Sequence, residues 1–359
     1  MRVLFLQQQP CIRALKYAVG LRATGTRVRL GFAYRGKSLG EWYGTGDDLF
    51  DAQWSLSSSD STRELIRVID EFDPDVIHSH NLPDSLTVMA LDICDGRPPV
   101  IHDVHDLQSL RQTPYEDGFP EPEHPLLLER RAIECSAAVI TVSDELFDAL
   151  KARYKLPEHT RVFPNYASRR DLPVELPPPE RRRSGAWRVV YEGTLSTNGG
   201  HYDLRSLFVS IVEAGVVLDI YPSRPAPDYH DLAEEHPTMR CLDTLDPPSL
   251  LRALPHYDYG WAGFNAAMNR AHLDTALPNK LYEYLGCGLP VLTLRHKALA
   301  RVVETRGVGI SLARLEDLGR RLAEVELSAL RRRVAEERAH LTVEANVARI
   351  VDLYESVAR

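Results

Sequence analysis

The sequence predicts an α/β chain of two Rossmann-like domains, each with a mostly parallel sheet, facing one another across a cleft. Three observations predict it. Short apolar runs alternate with helical patterns in both halves, which is how βαβ units read. A stretch rich in proline and charge, residues 169–185, has no hydrophobic period and reads as a connector. The length of 359 residues is too great for one ordinary core and suits two domains of about 150–180 residues each.

In order along the first half, Val3–Leu6 reads as a strand, Ile12–Ala23 as a helix and Arg27–Ala33 as a strand. Thr62–Glu71 is amphipathic and helical, and Asp73-Pro74-Asp75 turns into a buried strand at Val76–His78. Then come a helix at Ser85–Ile93, a strand at Val100–Val104, a helix at Leu126–Ser136 and a strand at Ala138–Val142. Asp144–Tyr154 is a helix capped by Ser143, and Arg161–Phe163 closes the domain. After the connector the alternation restarts with strands at Trp187–Tyr191, Val216–Tyr221, Met239–Leu242, Tyr257–Trp261 and Pro290–Leu294. Helices are expected at Leu204–Ala214, Leu250–Leu254 and Lys280–Leu285, with a charged helical pattern over residues 315–341. Val343–Val357 is a last amphipathic helix, with Val347, Ile350, Val351 and Tyr354 on one face. The expected domains are therefore 1–168, the connector 169–185, 186–341, and a terminal helix 342–359 returning to the first domain.

Composition excludes several classes. A hydrophobic share of 44% with 26% charged residues is that of a globular protein. Its basic residues are nearly all arginine, and the net charge of -8 argues against a grip on nucleic acid or anionic lipid. The five cysteines stand singly, with no Cys-x-x-Cys pair, as expected of buried thiols in a reducing cytoplasm. Met1–Leu6 reads as a first strand and not a signal peptide, and no run is apolar and long enough to span a bilayer.

The segment richest in chemistry is Leu277-Pro-Asn-Lys-Leu-Tyr-Glu-Tyr-Leu-Gly-Cys-Gly-Leu-Pro-Val-Leu-Thr293. It reads as a loop ending at Pro278, a short helix, two glycine stops and a buried strand. The start of such a helix offers unpaired N–H groups and partial positive charge, which suits a diphosphate. Lys280 in the first turn would gain from an anionic ligand, and Glu283 one turn later can accept from ribose hydroxyls. On the residues alone, an ordinary surface Lys–Glu pair is the other reading. Histidines at 78, 80, 102 and 105 converge from adjacent strands and read either as a zinc set or as groups lining a binding site. The acidic, proline-rich loop Pro114–Pro125 reads as solvated surface or as an acceptor wall favouring a neutral or cationic acceptor.

This segment resembles the donor-binding segment of GT-B glycosyltransferases, especially the retaining family 4, where Pro-x-Lys-hydrophobic-x-Glu-hydrophobic precedes a small-residue turn and Pro-Val. Asp75-Val-Ile-His-Ser-His80, Pro99-Val-Ile-His-Asp-Val-His-Asp-Leu107, Ala138–Ser143, Val162–Asn165 and Val190-Tyr-Glu-Gly-Thr-Leu195 resemble further family segments in the same order. The resemblance implies the GT-B fold and transfer of a sugar from a UDP, GDP or dTDP donor. The first domain lacks a basic amphipathic helix with exposed aromatics, which points to a small soluble acceptor, as in specialised metabolism. The resemblance also implies no cofactor, no metal and a retaining outcome. It places the donor on Pro278, Asn279, Lys280, Leu281 and Glu283, with Gly193 and Thr194 near the diphosphate and Thr244 and Leu245 near the base. Gly199 and Gly200 read on the residues either as an anion nest of backbone N–H groups for the diphosphate or as a plain glycine turn. His105 is the expected catalytic group beside Lys280, His80 and Asp106 are expected on the acceptor side, and Arg13 is a further phosphate contact. Departures from the family are equally clear. The Arg and Lys that follow the family's glycine are missing from Gly193–His201, Thr275 stands where many members have Glu, and Gln7–Arg13 replaces a glycine-rich loop. His201 or Arg205 is left to supply the missing charge. A non-catalytic GT-B partner and a nucleotide-sugar epimerase remain as alternatives, and oligomerisation is left open.

Overall fold

The computed structural model describes residues 1–25, 27–36, 48–112, 123–176 and 185–359. Most of the loop Pro114–Pro125 and most of the proline and arginine run of the connector lie outside the described residues. The chain divides into two compact units, Met1–Ser168 with Val343–Arg359, and Arg169–Thr342.

The first unit has seven parallel strands: β1 (Arg2–Gln7), β2 (Arg29–Tyr34), β3 (Ala52–Ser55), β4 (Val76–His80), β5 (Val100–Val104), β6 (Ala138–Thr141) and β7 (His159–Val162). Their order is β3-β2-β1-β4-β5-β6-β7. Among the described residues the helices between them are α1 (Ile12–Ala23), α2 (Ser61–Phe72), α3 (Ser85–Cys94), α4 (Pro125–Cys135) and α5 (Asp144–Lys151). β1, β4, β5 and β6 are buried on both faces, so β1 and β6 carry unbroken apolar runs at Val3–Leu6 and Ala138–Ile140, while β4 and β5 also bury His78, Ser79, His80, His102 and Asp103. Ser143 caps α5 by accepting the Leu146 N–H at 3.0 Å. The sheet changes direction between β1 and β4, where ligands of such sheets bind beyond the strand ends.

The terminal segment completes this unit. It is two helices, Val343–Asn346 and Ala348–Val357, where one was expected. Val347, Ile350, Val351 and Tyr354 are all buried, as their spacing predicted. The Val343 N–H bonds to the Ala167 carbonyl at 2.8 Å, and Arg349 reaches the Val162 carbonyl at 3.0 Å. On α1, Gly20 has no side chain where a Cβ would stand 2.9 Å from Val343 Cγ2 and 3.2 Å from Val347 Cβ.

The second unit has six parallel strands: β8 (Arg188–Gly193), β9 (Val217–Pro222), β10 (Met239–Cys241), β11 (Tyr259–Trp261), β12 (Val291–Leu294) and β13 (Gly309–Leu312). Their order, β10-β9-β8-β11-β12-β13, repeats the pattern of the first unit, with the change of direction between β8 and β11. The helices are α6 (Arg205–Glu213), α7 (Pro227–Glu234), α8 (Pro247–Ala253), α9 (Arg270–Leu273), α10 (Asn279–Gly286), α11 (Lys297–Arg306), α12 (Leu318–Glu324) and α13 (Leu327–Glu337). Tyr191, Phe208, Tyr229, Tyr259 and Trp261 dominate its core.

Two expectations need correcting. Of the five free thiols, Cys94 and Cys287 are buried, Cys11 and Cys241 are half-buried and Cys135 is exposed, so thiol burial holds for two. Sequence patterning also missed β3, α7, α9, α11 and β13. Among the described residues, no helix is long and apolar enough to cross a membrane.

Candidate active site

In the second unit the chemistry gathers where β8 and β11 end. Tyr284 of α10 fixes the geometry. Its hydroxyl accepts the Glu192 N–H at 3.0 Å and donates to the Trp261 carbonyl at 3.3 Å. Its ring occupies the space left by Gly260, where a Cβ would come within 2.4 Å. One turn earlier, Lys280 is thereby carried to the end of β8, with Nζ 3.9 Å from the centre of the Tyr191 ring. Gly193 adjoins it with φ +124, a conformation that needs glycine, and a Cβ there would lie 3.1 Å from Nζ. Lys280 is 7% exposed, so the reading as an ordinary surface pair is set aside. Burial pulls its ammonium down to about pH 8, with Glu192 and Glu283 pushing back. Glu283, Asn279 and Pro278 are half-buried at the same helix start, and Leu281 is buried.

The loop after β8 is organised differently from the anion nest expected of Gly199 and Gly200. The Gly199 N–H donates to Asp203 Oδ2 at 3.1 Å, and the Gly200 N–H to Asn198 Oδ1 at 3.0 Å. Arg205 closes on the same Asp203 carboxylate at 2.9 and 2.7 Å, so internal acceptors, this carboxylate and the Asn198 amide oxygen, already hold these donors. Thr194 and Thr244 are exposed, and Leu245 is half-buried. Sequence reasoning missed a ring cluster nearby. His201 lies 6.0 Å from Phe264 and 6.1 Å from His272, and Phe264 lies 5.7 Å from His296. His296 Nε2 accepts the Phe264 N–H at 3.2 Å, and burial pulls this histidine down to about 4. Thr275 is buried and donates to the His272 carbonyl at 2.8 Å. Aromatic and histidine residues soon after the apolar runs of β8, β11 and β12 were the available signal.

In the first unit a buried polar network sits beside the ends of β1, β4 and β5. Arg13 is its hub: Nε bonds both Asp103 oxygens at 3.0 and 3.1 Å, Nη1 the Asn165 side-chain oxygen at 2.8 Å, and Nη2 both Tyr17 Oη and the Phe163 carbonyl at 2.8 Å. The expected phosphate contact thus has its guanidinium bound to internal acceptors. Burial opposes ionisation of Asp103, but Arg13 and the neighbouring histidines outweigh it and hold the carboxyl well below its usual range. His78 Nε2 lies 3.3 Å and His80 Nδ1 3.8 Å from Asp103 Oδ2. His78 Nδ1 meets Tyr354 Oη of the terminal helix at 2.7 Å. Burial keeps His78, His80 and His105 below the ordinary histidine range. His105 and Asp106 are half-buried at the end of β5, with the His105 N–H donating to Asn81 Oδ1 at 3.1 Å.

The four histidines do not converge as a zinc set. His102 faces the other side of the sheet, 3.1 Å from Thr87 Oγ1 and 3.1 Å from Asp84. Among the described residues, His78, His80 and Asp103 form a trio within ligating reach, but Arg13 already places a cation against Asp103. The donor set fits a hydrogen-bonded network better than a metal.

Comparison with known families agrees with this geometry. Residues 20–167 match the family model Glycosyltransferase Family 4, and residues 203–341 match the Glucosyltransferase 3-like, C-terminal domain. The chain is a glycosyltransferase with the GT-B fold. Among solved structures, the transferase is similar to sucrose-phosphate synthase from Thermosynechococcus elongatus, at 14% identity, 99% coverage of both chains and a TM-score of 0.71. Anabaena HepE, solved in complex with UDP, is 15% identical over 100% of this chain and 98% of its own, with a TM-score of 0.61. A putative UDP-N-acetylglucosamine 2-epimerase from Listeria monocytogenes is 15% identical over 99% and 96%, with a TM-score of 0.62. At such identities the likeness concerns the fold. No curated protein sequence matches the transferase.

Proposed function

We propose that the chain transfers a sugar from a nucleoside-diphosphate donor to a small soluble acceptor, in a cytosolic pathway of specialised metabolism. The observation that carries this reading is Lys280, a buried ammonium at the start of α10 and the end of β8. Buried charge is costly without compensation, and a diphosphate supplies it. The helix dipole and Lys280 then stabilise the leaving phosphate as negative charge grows on it. Glu283 accepts from the ribose hydroxyls. His105, with His80 and Asp106, serves the acceptor side, and the departing phosphate takes the acceptor's proton with retention at the sugar. The UDP in the HepE structure supports a uridine donor ahead of GDP or dTDP.

Calorimetric titration with UDP, GDP and dTDP tests the reading. One nucleotide binds and the Lys280→Ala protein binds it more weakly. Binding of none assigns a non-catalytic partner instead. A product that forms without acceptor and keeps its nucleotide assigns an epimerase.

A further inference from the structure

The buried network of the first unit fixes more than packing. Asp103 is ionised beside Arg13, so a hydrogen bond from His78 Nε2 at 3.3 Å requires the proton on that nitrogen. A neutral His78 then has a bare Nδ1, and the Tyr354 hydroxyl must be the donor across 2.7 Å. His80 sits directly across from Asp103 in the β4–β5 register, with Nδ1 3.8 Å from the same oxygen that His78 faces. The negative field of that carboxylate favours the proton on Nδ1 of His80 and leaves Nε2 as a lone pair. Among the described residues His80 Nε2 is buried with no hydrogen-bond partner, and so is Nε2 of His105, whose ring stands edge to face with that of His80 at 6.2 Å.

We propose that Asp103 is the positioning residue of the acceptor side, acting through His78 and His80 to hold each imidazole in one tautomer, so that His80 offers an unprotonated Nε2 to a substrate hydroxyl. Asp103 touches no substrate itself. Tyr354 extends the same device to the terminal helix, since it occupies the one nitrogen of His78 that Asp103 leaves bare. The proposal rests on the reading of this unit as the acceptor side. It names the chemistry recognised there as a hydroxyl donor, for which a bare imidazole nitrogen is the matching acceptor.

The test reads the protons directly. In protein labelled with 15N-histidine, two-bond nitrogen–proton correlations at pH 7, assigned with His78→Gln and His80→Gln, show His78 protonated on Nε2 and His80 on Nδ1, both neutral. In Asp103→Asn the His80 signal moves to a mixture of tautomers, and kcat/KM for the acceptor falls at least tenfold while nucleotide affinity stays within twofold. If Asp103→Asn does not fold, the wild-type correlations decide alone. His80 protonated on Nε2, or doubly protonated at pH 7, overturns the positioning role. Correct tautomers with unchanged acceptor kinetics in His80→Gln overturn instead the acceptor-side reading on which the proposal stands.

Discussion

Arg13 in the first unit and Lys280 in the second are both buried near the change of strand order, and the two are treated oppositely. Arg13 meets a carboxylate, an amide oxygen, a hydroxyl and a carbonyl, all within 3.1 Å. Lys280 lies over an aromatic ring, and its hold on the proton is weakened by burial. A charge neutralised inside the fold supports structure and has little left for a ligand. A charge held by a ring and opposed by desolvation gains most when an anion arrives. Burial and charge alone do not separate these cases; the partners do.

The largest expected effect breaks the structural half of that contrast. Arg13→Ala leaves Asp103 as an uncompensated buried charge, a loss of about 3–5 kcal/mol. Urea unfolding should show it as a much lower midpoint, and an unchanged midpoint would remove Arg13 from the structural role. Lys280→Ala should do the reverse, keeping stability close to wild type while turnover falls about 100- to 1000-fold, the usual scale for a charge-stabilising donor. A loss under threefold would move the phosphates elsewhere in the second unit. Glu283→Ala should cost more than tenfold in turnover and weaken nucleotide binding, through the lost ribose contact; full activity in a folded variant would remove Glu283 from the site.

Two pH responses sharpen the comparison. The folded state lowers the ammonium of Lys280 to about 8 from 10.5, so the free protein loses this charge as pH rises through 8. Nucleotide affinity should decline above that pH in the wild type and persist in Lys280→Arg, as calorimetry across pH 7–9 would show. In the first unit, His78, His80 and His105 are held below 6.5, so the unfolded chain binds protons that the folded chain refuses. Their contribution is fully present above 6.5 and is lost as pH falls below it, which denaturant midpoints between pH 7 and 5 would reveal. The smallest change probes packing alone. Gly20→Ala pushes a methyl against Val343 and Val347 and should cost about 1–3 kcal/mol without altering nucleotide affinity.

What the sequence disclosed followed from burial. The strand Val3–Leu6, apolar without interruption because both faces are covered, was legible directly. β3 was not, because Ala52–Ser55 is a half-exposed edge strand with no period. β13 was hidden by Gly309, whose missing side chain is required by the Val291 carbonyl, where a Cβ would stand 2.0 Å away. For the site, the run from Pro278 to Glu283 was readable because local spacing builds a helix start. The link from Arg13 to Asp103 was not, because it joins residues ninety apart through a register that only the folded sheet creates. The Asp203 carboxylate that takes the Gly199 amide was invisible for a related reason: a glycine pair in sequence does not say which acceptor its N–H groups will find.

The first unit is discontinuous, and this dictates an order of assembly. Gly20, Ala167 and His78 are made early, yet the partners they meet, Val343, Val347 and Tyr354, leave the ribosome after the whole of the second unit. Domains usually fold in the order of their synthesis. Here the second unit has every residue it needs while the first still exposes the apolar face of α1 and an unsatisfied His78. The nascent chain thus carries an open seam until its last helices arrive, and a chaperone that shields the α1 face during synthesis would act on that interval alone.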